Sequence, residues 1–165
     1  MVVKKVYDSL QSLQEESLRN NFLIYSSLDG QNNKYEAISF PDEGYLFGLA
    51  YYSLGIESQT VLIKEMSKLL IGFGQTIIGV DCNNQKELFR KEAISPFYEF
   101  IATKHCILAI FELDIYAYDT ELNQIWVSGF RDIIVDHHIV DSDKILIECA
   151  DGERFTFTLK DGSQL

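Results

Sequence analysis

Positive charge is scarce in this chain of 165 residues: Lys and Arg number 14 against 25 Asp and Glu, a net charge of −11. That balance repels nucleic-acid phosphates and anionic lipid surfaces, so neither is an expected partner. Proline is rarer still, at 2, and glycine stands at 10, which excludes collagen-like and low-complexity chains. Cysteine occurs only as Cys82, Cys106 and Cys149, an odd number without CxxC spacing, and no Asn-X-Ser/Thr sequon is present. Reduced thiols are expected. No apolar run approaches the roughly 20 residues of a membrane span. The opening MVVKKVYDSLQSLQEESLRN also lacks the apolar stretch of a secretory leader, so the expected location is cytoplasmic. Walker-type, Gly-x-Ser-x-Gly and His-Glu-x-x-His motifs are missing as well. Nothing therefore points to a reaction or a cofactor, and a non-enzymatic role is expected.

What the chain does have is 47% hydrophobic and 24% charged residues, enough apolar surface for the core of a single domain over 1–165. Charge is uneven: residues 1–68 sum to −3, residues 69–104 to 0 and residues 105–165 to −8. Val3, Val6, Leu10 and Leu13 recur at spacings of three and four, which predicts a helix over about 4–20 that stops at Asn20-Asn21. After residue 22 the pattern turns to short runs of Ile, Val, Phe, Tyr and Thr. Turn pairs such as Asp29-Gly30, Asn83-Asn84, Asp151-Gly152 and Asp161-Gly162 separate them. Phe155, Phe157 and Leu159 alternate with Thr156, Thr158 and Lys160, the mark of a strand with one buried face. Lys144-Ile145-Leu146-Ile147 reads instead as a central strand. Gly72, Gly74 and Gly79, with no helix opening behind them, read as hairpin or close-contact glycines rather than a phosphate loop.

A shift of 38 residues superimposes Ile63 on Ile101 and Ile139, Leu69 on Ile107 and Ile145, and Leu70 on Leu108 and Leu146. The same shift lays Ile77–Asp81 on Ile115–Asp119, and a two-residue adjustment brings in Arg154–Leu159. Each copy continues through a polar turn to an apolar pair, Leu88-Phe89 or Ile125-Trp126. Glu36-Ala37-Ile38-Ser39 recurs as Glu92-Ala93-Ile94-Ser95 and suggests a degraded earlier copy. The rhythm of strand, turn, strand ending in Tyr116-Ala117-Tyr118-Asp119, the Asn123-Gln124 turn and Ile125-Trp126 resembles the blade of a β-propeller of the WD40 or quinoprotein-like type. The resemblance covers roughly 61–165. It implies a mainly β chain of antiparallel meanders in propeller-blade-like repeats of about 38 residues with one N-terminal α-helix: an irregular β segment at 22–60, then repeats at about 61–98, 99–136 and 137–165. It implies a binding scaffold and supplies no catalytic residue. Two and a half clear copies fall short of a closed ring, so an open stack or sandwich is expected, with the helix and the irregular segment 40–60 covering a sheet edge.

Three functional readings follow. In the first, Tyr116, Tyr118 and Trp126 form an exposed aromatic patch ringed by Glu112, Asp114, Asp119 and Glu121. The protein is then an acidic interaction module, of inhibitor or immunity type, that holds a partner with a basic surface. In the second, Asp136, His137, His138 and Asp141 bind a metal or serve a metal-assisted hydrolase. Neighbours on a strand diverge, however, and the repeat places His138 opposite core positions, so a half-buried histidine competes with that reading. In the third, a small ligand enters a cleft between sheets. Cys149 reads as a core residue, Cys106 beside His105 as a pair that a strand would separate, and Cys82, in a polar turn, as the thiol most open to reagents. Open sheet edges also leave homodimerisation by edge pairing or face packing as an expectation.

Overall fold

A computed structural model describes residues 1–28 and 30–165; Asp29, and with it the expected Asp29-Gly30 turn, lies outside the described residues. Four sheets follow one another along the chain. The first holds β1 (Val3–Tyr7), β2 (Ile24–Ser26), β3 (Lys34–Phe40) and β4 (Tyr45–Tyr51) in the order β1-β3-β4-β2. The second is the meander β5 (Gln59–Ile63), β6 (Lys68–Phe73), β7 (Thr76–Asp81) and β8 (Lys86–Glu92). The third repeats it with β9 (Phe97–Ala102), β10 (Ile107–Phe111), β11 (Asp114–Tyr118) and β12 (Gln124–Gly129), and the fourth has β13 (Ile134–Val140), β14 (Lys144–Cys149) and β15 (Arg154–Thr158). These are propeller-type blades, and the segment 22–60 supplies three strands of the first.

Blades stack face to face because their middle strands are apolar on both sides. Leu69, Ile107 and Ile145 each face the preceding blade, while Leu70 and Leu108 face the following one. Removing such faces from water, at about 25 cal/mol per Å² of apolar surface, is the main force holding blade to blade. Glycine is required where an aromatic ring crosses a sheet: a Cβ on Gly72 would stand 2.4 Å from the Phe97 ring, and one on Gly79 2.3 Å from the Phe89 ring. Gly74 has φ +55° and closes the β6–β7 hairpin. Turn carboxylates and amides tie the hairpins, Asp81 accepting from Asn83 N, Asn84 from Lys86 N and Asp151 from Glu153 N.

The N-terminal helix begins later than its apolar spacing suggested. α1 runs Leu10–Asn20, capped by Ser9, whose Oγ accepts from Ser12 N, and closed by Asn21 in the left-handed region. Residues 3–7 pair with β3 instead, because β-branched Val3 and Val6 complete an open ladder there. Val3, Val6 and Leu10 stay exposed and only Leu13 of that stripe is buried. Nor does the helix guard a sheet edge. Leu13 and Phe22 cover the outer face of the first blade at Ala37 and Ala50, and residues 45–51, expected to be irregular, form the core strand β4.

Pairing also corrects the gap-free repeat. Val61, Ile101 and His138 stand opposite Leu70, Leu108 and Leu146, so the true equivalents of the first strand slip against the 38-residue shift. A bulge between Ile134 and Asp136 turns β13 over by one residue: His137 faces the third blade and Ile139 is partly exposed. On the third strand, Gly79, Ala117 and Thr156 are equivalent, an adjustment of one residue rather than two. Glu36–Ser39 lies inside β3 while Glu92–Ser95 ends β8, so that tetrapeptide is no structural repeat. Leu88 and Ile125, by contrast, occupy the same bulge before the inward-facing Phe89 and Trp126. The last blade's outer face carries Asp136, His138, Lys144, Glu148 and Arg154 around Leu146, a polar cap on the stack.

Candidate interaction surface

The aromatic patch expected from the sequence is not exposed. Tyr116, Tyr118 and Trp126 have 6%, 2% and 7% of their surface accessible. Tyr118 stacks on Phe89 at 5.1 Å between the second and third blades, and Trp126 donates Nε1 to Leu159 O at 3.0 Å while packing on Phe157. The reason is the two-sided burial of the third blade: Ile115 and Ala117 fill one interface, so their neighbours fill the other. Asp119 serves its own turn, accepting from the amides of Glu121 and Asn123 and from Asn123 Nδ2. Burial raises its carboxyl, but those hydrogen bonds outweigh burial and leave it below its ordinary value. Glu121 is exposed on the same turn and lends its carbonyl to Lys68.

The second set is dispersed. His137 pairs with Glu99 at 3.0 Å across the blades, His138 lies on the opposite face 3.9 Å from Asp136, and Asp141 sits in the following turn. The half-buried histidine is thus His137, because of the β13 bulge. Among the described residues no group of three His, Cys, Asp or Glu side chains converges as metal ligands would. The three thiols are buried, Cys82 included. Burial and then the Asp81 carboxylate push Cys82 up to about 12, and Cys106 directs its Sγ to Leu159 O while His105 turns to Asp143. A thiol reagent such as DTNB should therefore label none of the three in the native state within minutes and all three after denaturation. Rapid native labelling of Cys82 would contradict its burial.

Two interblade contacts join residues one repeat apart: Glu99 to His137, and His105 with Lys104 to Asp143. Hydrogen bonds from His105, then Lys104 and Ser142, hold the Asp143 carboxyl down to about 2. A depressed carboxyl stabilises the fold above its unfolded value of about 3.9 and loses that contribution as pH falls through about 2. Wild type should accordingly gain stability over Asp143→Asn as pH rises from about 2 to about 4, a small gain because the pair is exposed. Denaturation curves with the same pH profile for both proteins would refute the contact.

What the sequence did not show is that Glu112 and Asp114 are joined by Asp132, Asp151 and Glu153 from other turns. Strand direction brings the β10–β11, β12–β13 and β14–β15 turns to one end of the stack. Backbone bonds Ile134 N to Glu112 O, Phe130 N to Leu113 O and Ala150 N to Ile133 O join them. These turns present Glu112, Asp114, Asp132, Asp151 and Glu153, none of them in an ion pair among the described residues. Their convergence is felt at Cys149, whose thiol is raised first by burial and then by Asp151, Asp132 and Glu153. Asp114 lies above its ordinary value through burial, against the pull of Lys91. Ile94, 84% exposed, and Ile133 lie in turns at the same end. There too the first two blades leave a cleft of about 490 Å³ lined by Leu28, Tyr52, Leu54, Gln75 and Ala93. No signal in a single sequence could show that turns 20 and 40 residues apart meet; the repeat period only implied that equivalent turns share an end.

No family model matches the sequence, and no curated protein does. Solved structures do match, and they are propellers of the WD40 and related types. The chain is similar to dihydro-heme d1 dehydrogenase NirN at TM-score 0.53 and 9% identity, over 79% of this chain and 31% of that one. It is similar to Sqt1 of Saccharomyces cerevisiae at TM-score 0.50 and 13% identity, over 84% and 45%. BamB from Moraxella catarrhalis aligns with 99% of this chain and 50% of its own, at TM-score 0.47 and 14% identity. The fold is thus a stack of β-propeller blades, and the chain spans between 31% and 50% of the length of these propellers. Among the described residues no helix is long and apolar enough to cross a membrane.

Proposed function

We propose that this protein is a non-enzymatic, cytoplasmic interaction module that holds a partner with a basic surface on the acidic end of its third and fourth blades. The observation that carries this reading is the set of five carboxylates without ion-pair partners on three hydrogen-bonded turns, with exposed Ile94 and Ile133 at the same end. Unpaired carboxylates keep their field for a partner, steering a cationic surface into contact, and the isoleucines supply apolar area that water leaves on docking. Buried Tyr116, Tyr118 and Trp126 then act by holding the blades that carry the turns. In its narrowest form the partner is an enzyme with a cationic active site, such as a nuclease toxin, which an acidic face would plug by imitating its polyanionic substrate.

The test is retention of a basic partner at low and high salt by wild type and by Asp132→Lys/Asp151→Lys/Glu153→Lys. Capture by wild type at low salt, release at high salt and loss in the folded triple variant are expected. Capture that survives the three reversals, or none at low salt, would refute the reading.

A further inference from the structure

We propose that the opposite end of the fourth blade carries an oxyanion-binding cleft suited to a phosphate monoester. Its walls come from three segments that the stack brings together: the β9–β10 turn with Lys104 and His105, the β13–β14 turn with Asp143 leading into Lys144, and the end of β15 with Thr158 and Lys160. They enclose a cleft of about 380 Å³, room for a phosphate and the first atoms of the group that carries it.

The charge in this cleft runs against the rest of the region. Residues 105–165 sum to −8 and hold only four cationic side chains, two of which, Lys144 and Lys160, line this one cleft. Lys104 joins them from the preceding blade. Two carboxylates are present, and both are already engaged. Asp143 takes Lys104, His105 and Ser142, and Asp161 takes the Thr158 hydroxyl and Ser163 N. Lys144 and Lys160 are left without an ion pair among the described residues. Two ammonium groups free to turn toward one space suit a dianion better than a monoanion, since each can donate to a different oxygen. Lys104, Lys144 and Lys160 exceed by one the two carboxylates that line the cleft, which favours an anion there. The inference does not rest on the proposed protein partner.

Amide NMR titrations with inorganic phosphate, O-phosphoserine and acetate at fixed ionic strength test it, on wild type and on Lys144→Ala/Lys160→Ala. Saturable shifts confined to residues 103–106, 141–144 and 158–163 are expected with both phosphates, with acetate at least several-fold weaker. The double variant should bind about tenfold more weakly, each of the two surface lysines contributing about threefold. Both lysines lie at the surface, so the variant should keep its spectrum elsewhere. Tighter binding of phosphoserine than of phosphate would assign the cleft to a phosphorylated chain, and equal binding to the free oxyanion. Shifts that merely follow ionic strength, that match those with acetate, or that persist in the double variant would overturn the proposal.

Discussion

Replacing Trp126 by Ala should lower the stability of the protein by about 3–5 kcal/mol, the range for removing a large buried aromatic side chain. Three interactions go at once: the stack on Phe157, the hydrogen bond to Leu159 O, and the cover the indole gives Gly162, whose hypothetical Cβ would meet the ring at 2.7 Å. All three tie the third blade to β15 and the segment that follows it. Urea denaturation followed by far-ultraviolet circular dichroism reads the change, since Trp126 is the sole tryptophan and its fluorescence vanishes with it. The result also separates two roles for this residue. A surface anchor would weaken partner binding and leave stability within about 0.5 kcal/mol. A blade-to-blade wedge does the reverse at low denaturant, where the folded variant should still hold its partner.

Gly72→Ala should cost about 1–3 kcal/mol although it adds one methyl group. The added Cβ meets Phe97, a ring with no accessible surface, wedged against Phe100 at 4.7 Å and Phe111 at 5.5 Å. With no open space beside it the ring cannot retreat, and the second and third blades must part slightly. The backbone of Gly72 has no positive φ, so strain of conformation contributes nothing. Combining Gly72→Ala with Phe97→Leu should therefore cost less than the sum of the two single changes, because the smaller side chain makes room for the methyl. Strict additivity in a double-mutant cycle would show that the clash is absent.

Several parts of this arrangement were legible in the chain. Leu69 with Ile107 and Ile145, and Leu70 with Leu108, do share faces as the repeat implied, since a strand's side chains alternate and the spacing between β6, β10 and β14 is constant. The Asn stop of the helix, the Asn and Asp turns and the glycines at close contacts were also readable, each being a local demand of the backbone. Misreadings arose where the deciding partner was distant. Val3 and Val6 fit a helical stripe as well as a strand until β3 offers its open edge. His137 and His138 exchange faces because of one bulged residue. Tyr116 and Trp126 look alike as anchors or as filling, because exposure depends on which sheet lies against them.

The alternation of apolar residues and the turn chemistry, which act within a few residues, and the repeat period, which compares one stretch of chain with the next, settled by themselves that the chain after residue 58 is a succession of antiparallel blades. Which faces vanish between blades, and which carboxylates and lysines end up side by side without partners, was decided only when the sheets stacked. Stacking joins turns whose separation in the chain leaves no trace in local composition, and it sets Glu112, Asp114, Asp132, Asp151 and Glu153 side by side at one end of the last two blades and Lys144 and Lys160 at the other.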